Sequence, residues 1–151
     1  MRLTLYTDYA LRLLIYLAVN GERQSSTAEI ARAYGISESH LTKVVHQLGR
    51  LGLIQTMRGR GGGLRLGKPP AEICVGTVIR ATEEDFALTD CIAGRTCAIT
   101  EPCRLRGMLT EALDAFLAVL DRHTLADLIG EAGPDFARLL GLRAPPPDDL
   151  A

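Results

Sequence analysis

Apolar residues recur at helical spacing along most of the chain. Leu11, Leu14, Ile15 and Ala18 fall three or four apart and predict a helix. Thr7 and Asp8 open it, Asp8 suiting the positive end of the helix dipole, and Asn20-Gly21 closes it. Ser26-Thr27-Ala28-Glu29 is a capping box, in which serine and glutamate satisfy each other's unpaired amides. A short helix follows with Ala28, Ile30 and Ala31 inward, and Tyr34-Gly35-Ile36 interrupts it. Ser37 caps a third helix to about Arg50, with Leu41, Val44, Val45 and Leu48 as its apolar stripe. The period then drops to two. Leu53 to Met57 reads as a strand, Arg58 to Gly63 as a glycine-rich turn and Leu64-Arg65-Leu66 as the returning strand. Beyond Lys68-Pro69-Pro70, Ile73 to Glu83 is predicted helical, with Val75, Val78 and Ile79 on one face. The longest stripe comes last: Leu105, Leu109, Ala112, Leu113, Phe116, Val119 and Leu120. Thr124 caps a short helix with Leu125, Leu128 and Ile129; Pro134 breaks the pattern, and Phe136 to Leu142 adds one weak turn. Pro145-Pro146-Pro147-Asp148-Asp149 has the composition of disorder.

Helix, glycine turn, helix and hairpin in that order predict a winged helix-turn-helix DNA-binding domain: a mainly α fold with a small β-hairpin wing. Ser39, Lys43, His46 and Arg50 lie on the solvent side of the third helix, with His40 and Gln47 beside them. These side chains supply donors for base edges and phosphates. The same face would suit an ordinary helical bundle. The wing shifts the balance, because Arg58 and Arg60 sit in a turn whose glycines allow close approach to a phosphate chain. A nucleotide-binding loop fits less well, since no Gly-Lys-Ser/Thr ending is present. The stripe after Leu105 is too long to bury on so small a domain alone, so a long dimerisation helix and a two-fold homodimer are expected, with packing back on the first helix as the alternative or an addition. A pseudo-palindromic double-stranded DNA operator is then the expected partner. Three regions result: 1–68 as the DNA-binding domain, 69–130 as a cysteine loop with the dimerisation helix, and 131–151 as a partly disordered tail.

Charge sharpens this division. The 151 residues carry a formal net charge of −1. Residues 1–68 hold +6 and residues 69–151 hold −7. A basic first half points to a polyanion. The chain has no apolar run of about 18 residues and no cleavable leader pattern, so no membrane span is expected. The cytoplasm is the expected compartment, where four cysteines are better read as ligands or reactive thiols than as disulfides.

Three of those cysteines stand in Cys91-Ile-Ala-Gly-Arg-Thr-Cys97-Ala-Ile-Thr-Glu-Pro-Cys103, five residues apart, in a stretch whose glycine and proline make it a loop. Such a loop can turn three sulfurs toward one point. A disulfide would leave one thiol over. Zinc prefers four closed ligands, usually with a Cys-x2-Cys knuckle that is absent here. An iron–sulfur cluster accepts thiolates at varied spacing and tolerates one other ligand. His40, His46 and His123 could supply that ligand chemically but fit other roles better, Arg106 cannot, and Asp8 reads first as a helix-start acid. Cys74, between Ile73 and Val75, reads as a small buried hydrophobe, and Glu83-Glu84-Asp85 as a solvated helix end. No nucleophile–base pair or paired carboxylates indicate an enzyme. A cluster-carrying electron-transfer protein would leave the basic wing unexplained.

Met1-Arg2-Leu3-Thr4, Thr7-Asp8-Tyr9-Ala10-Leu11-Arg12, Glu29-Ile30-Ala31, Leu51-Gly52-Leu53-Ile54, the wing from Arg58 to Leu66 and the cysteine triplet together resemble the winged-helix iron–sulfur regulators of the IscR, NsrR and RirA type. The resemblance runs to about Ile129 and is nearest to the nitric-oxide-sensing branch. It implies a repressor whose operator affinity falls when the cluster is nitrosylated or lost. It also implies a [4Fe-4S] cluster ([2Fe-2S] being the alternative) held by Cys91, Cys97 and Cys103, with Asp8 from the partner chain as the fourth ligand. Members that use a histidine shortly after the third cysteine differ here, where Arg106 stands. Iron-responsive members tend to carry asparagine in place of Asp8. Sensing of iron or cluster supply is the alternative within the family.

Overall fold

The structure, a computed structural model, describes residues 2–57, 59, 62–99, 101 and 103–142. Its centre is helix α1 (Leu5–Val19). Ala10, Leu13, Leu14 and Leu17 are fully buried on it. Helices α2 (Thr27–Tyr34), α3 (Glu38–Arg50), α4 (Val75–Thr82), α6 (Leu125–Ile129) and α7 (Gly133–Leu139) all pack against α1. One continuous core joins these residues to Ile30 of α2, Leu41, Val44 and Leu48 of α3, and Ile73 and Leu125. Each fully buried leucine of this kind contributes on the order of 2 kcal/mol of apolar burial.

Helix α1 begins one turn earlier than the sequence predicts. Thr4, not Thr7 or Asp8, is the cap, and its hydroxyl accepts from the Thr7 amide at 3.2 Å. Thr7 is instead buried inside the helix, where its hydroxyl donates to Thr82 Oγ1 at 2.9 Å. The capping box of α2 forms as expected between Ser26 and Glu29. Gly35 closes that helix at φ 63°, a left-handed conformation that glycine adopts without cost. Ser37 stands at the start of α3, but its hydroxyl meets Ser39 Oγ at 2.9 Å instead of capping the helix.

The wing is an antiparallel pair, β1 (Ile54–Met57) with β2 (Gly63–Leu66), in register Ile54↔Leu66 through Met57↔Gly63. Ser25 extends it by exchanging two backbone hydrogen bonds with Leu64, at 3.1 and 2.8 Å. Ile54 and Leu64 are buried, anchoring the hairpin to the core through one face. Gly67 ends the hairpin beside Gly52, with its amide donating to the Leu53 carbonyl at 2.8 Å.

A 3-10 turn at Pro70–Glu72 precedes α4, which is shorter than expected and takes Cys74 as its first cap residue. Helix α5 (Leu105–Asp121) lies along α4, and none of its residues is buried. After α5 the chain returns beside the start of α4, with Val75 donating to the His123 carbonyl and Leu125 to that of Ile73. Pro134 does not break the pattern as predicted. It sits in the first turn of α7, where a missing amide costs nothing, and Ala137 and Leu142 are buried behind it. The predicted disordered prolines lie outside the described residues. No described helix is long and apolar enough to cross a membrane.

Candidate DNA interface and cysteine loop

Helix α3 presents its candidate readers together because its apolar stripe is buried. With Leu41, Val44 and Leu48 held in the core, Ser39, His40, Lys43 and Arg50 are exposed, and Gln47 is half-buried. Arg58 and Arg60 lie outside the described residues. Between α3 and β1 runs a shallow trough of about 520 Å³ lined by Val45, His46, Gly49, Arg50, Ile54 and Thr56. Its walls are mostly apolar.

The cysteine loop joins α4 to α5. Backbone bonds from Ile92 and Ala93 to the Thr89 carbonyl and from Arg95 to that of Asp90 stitch its first half, and Cys103 donates to the Ile99 carbonyl in its second. Cys91 and Cys103 are half-buried and Cys97 is exposed; none of the four cysteines is in a disulfide. The Thr89 hydroxyl lies 3.1 Å from Cys91 Sγ. Three soft donors, reachable from solvent and on a loop without fixed secondary structure, are a chemically fitting set for an iron–sulfur cluster. The loop does not gather them within one chain: among the described residues, no three histidine, cysteine or acidic side chains stand at metal-ligand spacing.

Asp8 lies in the first turn of α1, half-exposed, in an ion pair with Arg12 at 2.9 Å. The Arg12 guanidinium also lies over the Tyr34 ring, 5.7 Å from its centre. Burial, the leading cause, pushes the Tyr34 phenol up to about 12. His40, His46 and His123 are exposed, as is Arg106.

Three features escaped the sequence reading. Glu83 is half-buried and held in place: its Oε1 accepts from the Thr4 amide at 2.8 Å and from the Thr4 hydroxyl at 3.1 Å. With the Thr7–Thr82 bond, this ties the start of α1 to the residues from which the cysteine loop departs. A threonine among the apolar positions of α1 was the available signal. Cys74 is not a buried hydrophobe. Burial opposes its thiolate, but hydrogen bonds from the Thr77 side chain and from the Thr77 and Gly76 amides outweigh burial and lower its pKa. Beside it Arg80 grips Asp121 with both nitrogens, holding α4 to the end of α5. This hydrogen bond holds the Asp121 carboxyl below its ordinary range. The third feature is the cross-strand pair Gln55–Arg65, foreshadowed only by the symmetry of the hairpin.

A helix-turn-helix with a hairpin wing, a polar reading helix and a thiol-bearing loop leading to a long uncovered helix defines a winged-helix transcriptional regulator, not an enzyme. Residues 3–131 match the Rrf2 family, described as iron-dependent transcriptional regulators, and the chain belongs to that family. It is 54% identical over 132 residues to the HTH-type transcriptional regulator NsrR of Geobacillus kaustophilus, covering 85% of this chain and 90% of that relative. Identity to NsrR of Bacillus subtilis is 47% over 146 residues, 95% of this chain and 99% of that one. Among solved structures, CymR (YrzC), the global cysteine regulator of B. subtilis, is similar at a TM-score of 0.71 and 32% identity. That likeness spans 85% of this chain and 95% of the CymR chain.

Proposed function

We propose that the chain is a cytoplasmic, homodimeric repressor that reads a pseudo-palindromic operator and releases it in response to nitric oxide. Residues 1–68 form the reading head, 69–130 hold the cluster loop and dimer helix, and 131–151 are the tail. Cys91, Cys97 and Cys103 hold a [4Fe-4S] cluster, with Asp8 of the partner subunit as the fourth ligand. When bound, the cluster supplies iron that nitric oxide can ligate. Asp8 is a hard carboxylate beside three soft thiolates and is therefore the more readily surrendered ligand.

The observation that carries this reading is the crowding of contacts on the first two turns of α1. Asp8 pairs with Arg12, and Arg12 covers Tyr34 at the helix-turn. The Tyr6 hydroxyl donates to the Lys43 carbonyl of α3 at 3.3 Å. Thr4 and Thr7 are fastened to Glu83 and Thr82 at the root of the cysteine loop. A change in what holds Asp8 thus acts on a helix already bonded to the reading helix and to the loop. Two such heads on one operator convert a small rotation into a change of spacing, and hence of affinity.

Anaerobic protein titrated with nitric oxide, followed by visible spectra and gel shifts in parallel, tests this. Operator affinity is expected to fall with the cluster bands. Asp8→Ala is expected to change the resonance Raman spectrum, and Cys103→Ser to abolish the cluster absorption. DNA affinity indifferent to cluster loss would sink the coupling, and an unchanged Asp8→Ala spectrum would remove Asp8 from the ligand set. The family's description as iron-dependent favours a second reading, iron supply as the signal. Release of DNA on anaerobic iron chelation, with no response to nitric oxide, would select it.

Ser39, His40, Lys43, Gln47, Arg50, Arg58 and Arg60 are the proposed DNA contacts. Arg60→Ala is expected to weaken binding to all sequences by about tenfold, whereas Lys43→Ala and Gln47→Ala alter sequence preference. Equal losses on selected and random duplexes for all three would overturn the assignment of α3 as the base reader.

A further inference from the structure

Five arginines in the described residues are neutralised by carboxylates: Arg12 by Asp8, Arg23 by Glu29, Arg80 by Asp121, Arg95 by Asp90 and Arg138 by Asp135. Arg65 is held differently. It stands on β2 directly opposite Gln55 on β1. Gln55 Oε1 accepts from Arg65 Nε at 3.0 Å and from Nη2 at 2.8 Å. Among the described residues no carboxylate lies within ion-pair distance of Arg65. Its orientation is therefore fixed by a neutral amide while its charge stays unquenched. Of the five guanidinium N–H groups, two are engaged and three remain for another acceptor.

The side of the wing that carries this pair is set by the core. Ile54 and Leu64 are buried on one face of the hairpin, so Gln55 and Arg65 occupy the other. That outer face forms one wall of a groove of about 520 Å³, shared with Gly67 and Lys68 and closed by the end of α1. Glu22 is the one acid lining it. The groove lies away from the trough beside α3, which has no residue in common with it.

We propose that Arg65, oriented by Gln55, anchors a DNA phosphodiester along the outer flank of the wing, with Lys68 as the second cation of the same groove. The proposal rests on the DNA-binding reading and adds a backbone contact on a face that carries none of the proposed α3 contacts. A phosphate is the fitting acceptor, because an oriented guanidinium edge binds its paired oxygens and a side chain turned from α3 is not placed to read bases. Holding the fork in advance lowers the rotamer entropy lost on binding.

The test uses full-length anaerobic protein and a duplex enriched from a randomised pool by the wild type, with a random duplex beside it. Affinity is measured by fluorescence anisotropy from about 50 to 200 mM salt. Arg65→Ala is expected to lower affinity about tenfold and to reduce the slope of log K against log salt by about 0.9. The ratio of selected to random binding should stay unchanged. Arg65→Lys should keep the slope and recover part of the affinity. Gln55→Ala should keep the slope with a smaller loss, about threefold. An unchanged slope in Arg65→Ala would overturn the proposal. Equal affinity losses in Gln55→Ala and Arg65→Ala without a slope change would also do so, marking the pair as a hairpin staple. Circular dichroism of each variant confirms the fold. Failure of the wild type to enrich any duplex would overturn the DNA-binding reading, and this proposal with it.

Discussion

Replacing Leu105 and Met108 together by glutamate is expected to leave a monomer in sedimentation velocity and to lower operator affinity by about a hundredfold or more. Helix α5 has seventeen residues and buries none of them. Leu105 is 53% exposed, Met108 63% and Val119 45%. The helix nonetheless carries a continuous apolar stripe, and a soluble chain seldom leaves such a stripe open to water. Its other side is already occupied: Arg80 fastens Asp121, and the helix lies on α4. A second copy of the same stripe is the simplest cover, because a two-fold axis makes an apolar helix face complementary to itself. A reader of two half-sites loses the linked second binding event when the dimer falls apart, which is the source of the large factor. Both side chains are exposed in the monomer, so the thermal midpoint of the isolated chain should hardly move. A double variant that still sediments as a dimer would place the interface elsewhere.

The elements that were legible in the sequence are those whose signals are local. The box Ser26–Glu29, the break at Gly35 and the stripe of α3 are set by residues a few positions apart, and each forms as read. Where tertiary partners decide, local pattern misled. Thr7 looked like a cap because it precedes the apolar run. In the fold it is a core residue bonded to Thr82, seventy-five positions away. Glu83 looked like one of three solvated acids, yet its carboxylate is held by the amide of Thr4, seventy-nine positions away. Cys74 sits between two buried residues, but its extended backbone directs neighbouring side chains to opposite sides, so its thiol meets Asp121 instead of the core.

The cysteine loop divides along the same line. Its soft donors and their even spacing are visible in the sequence, since donor type alone narrows the metal chemistry. The gathering of those donors is not, because it depends on the conformation of the loop, and the described residues do not bring three such donors together. The polar face of α3 was legible through its complement: the buried stripe is periodic, and the polar residues are what remains. Arg65 was not legible in this way. On a strand with one buried face, every outward residue looks alike until a cross-strand partner fixes one of them.

Gly67→Ala is expected to cost about 1–3 kcal/mol of folding stability and to weaken binding to selected and random duplexes alike. A methyl group on Gly67 would be driven into the Gly52 carbonyl oxygen, and would stand 3.1 Å from the Gly52 carbonyl carbon and 3.3 Å from the Ile54 amide nitrogen. All three are backbone atoms, so no side chain can swing away to make room. Relief requires the end of β2 to separate from the turn between α3 and β1. That movement strains the hydrogen bond from Gly67 to Leu53 and tilts the wing against the reading helix. For a chain of this length, each kcal/mol lowers the thermal midpoint by roughly 2–4 °C. Gly49→Ala is the matching control. Gly49 lies within α3 with nothing in 4 Å of an added methyl, so alanine should raise stability by about 0.5–1 kcal/mol. A thermal midpoint for Gly67→Ala equal to that of the wild type would show that the hairpin base gives freely, and that the wing's angle to α3 is set by Ser25 and Leu64 instead.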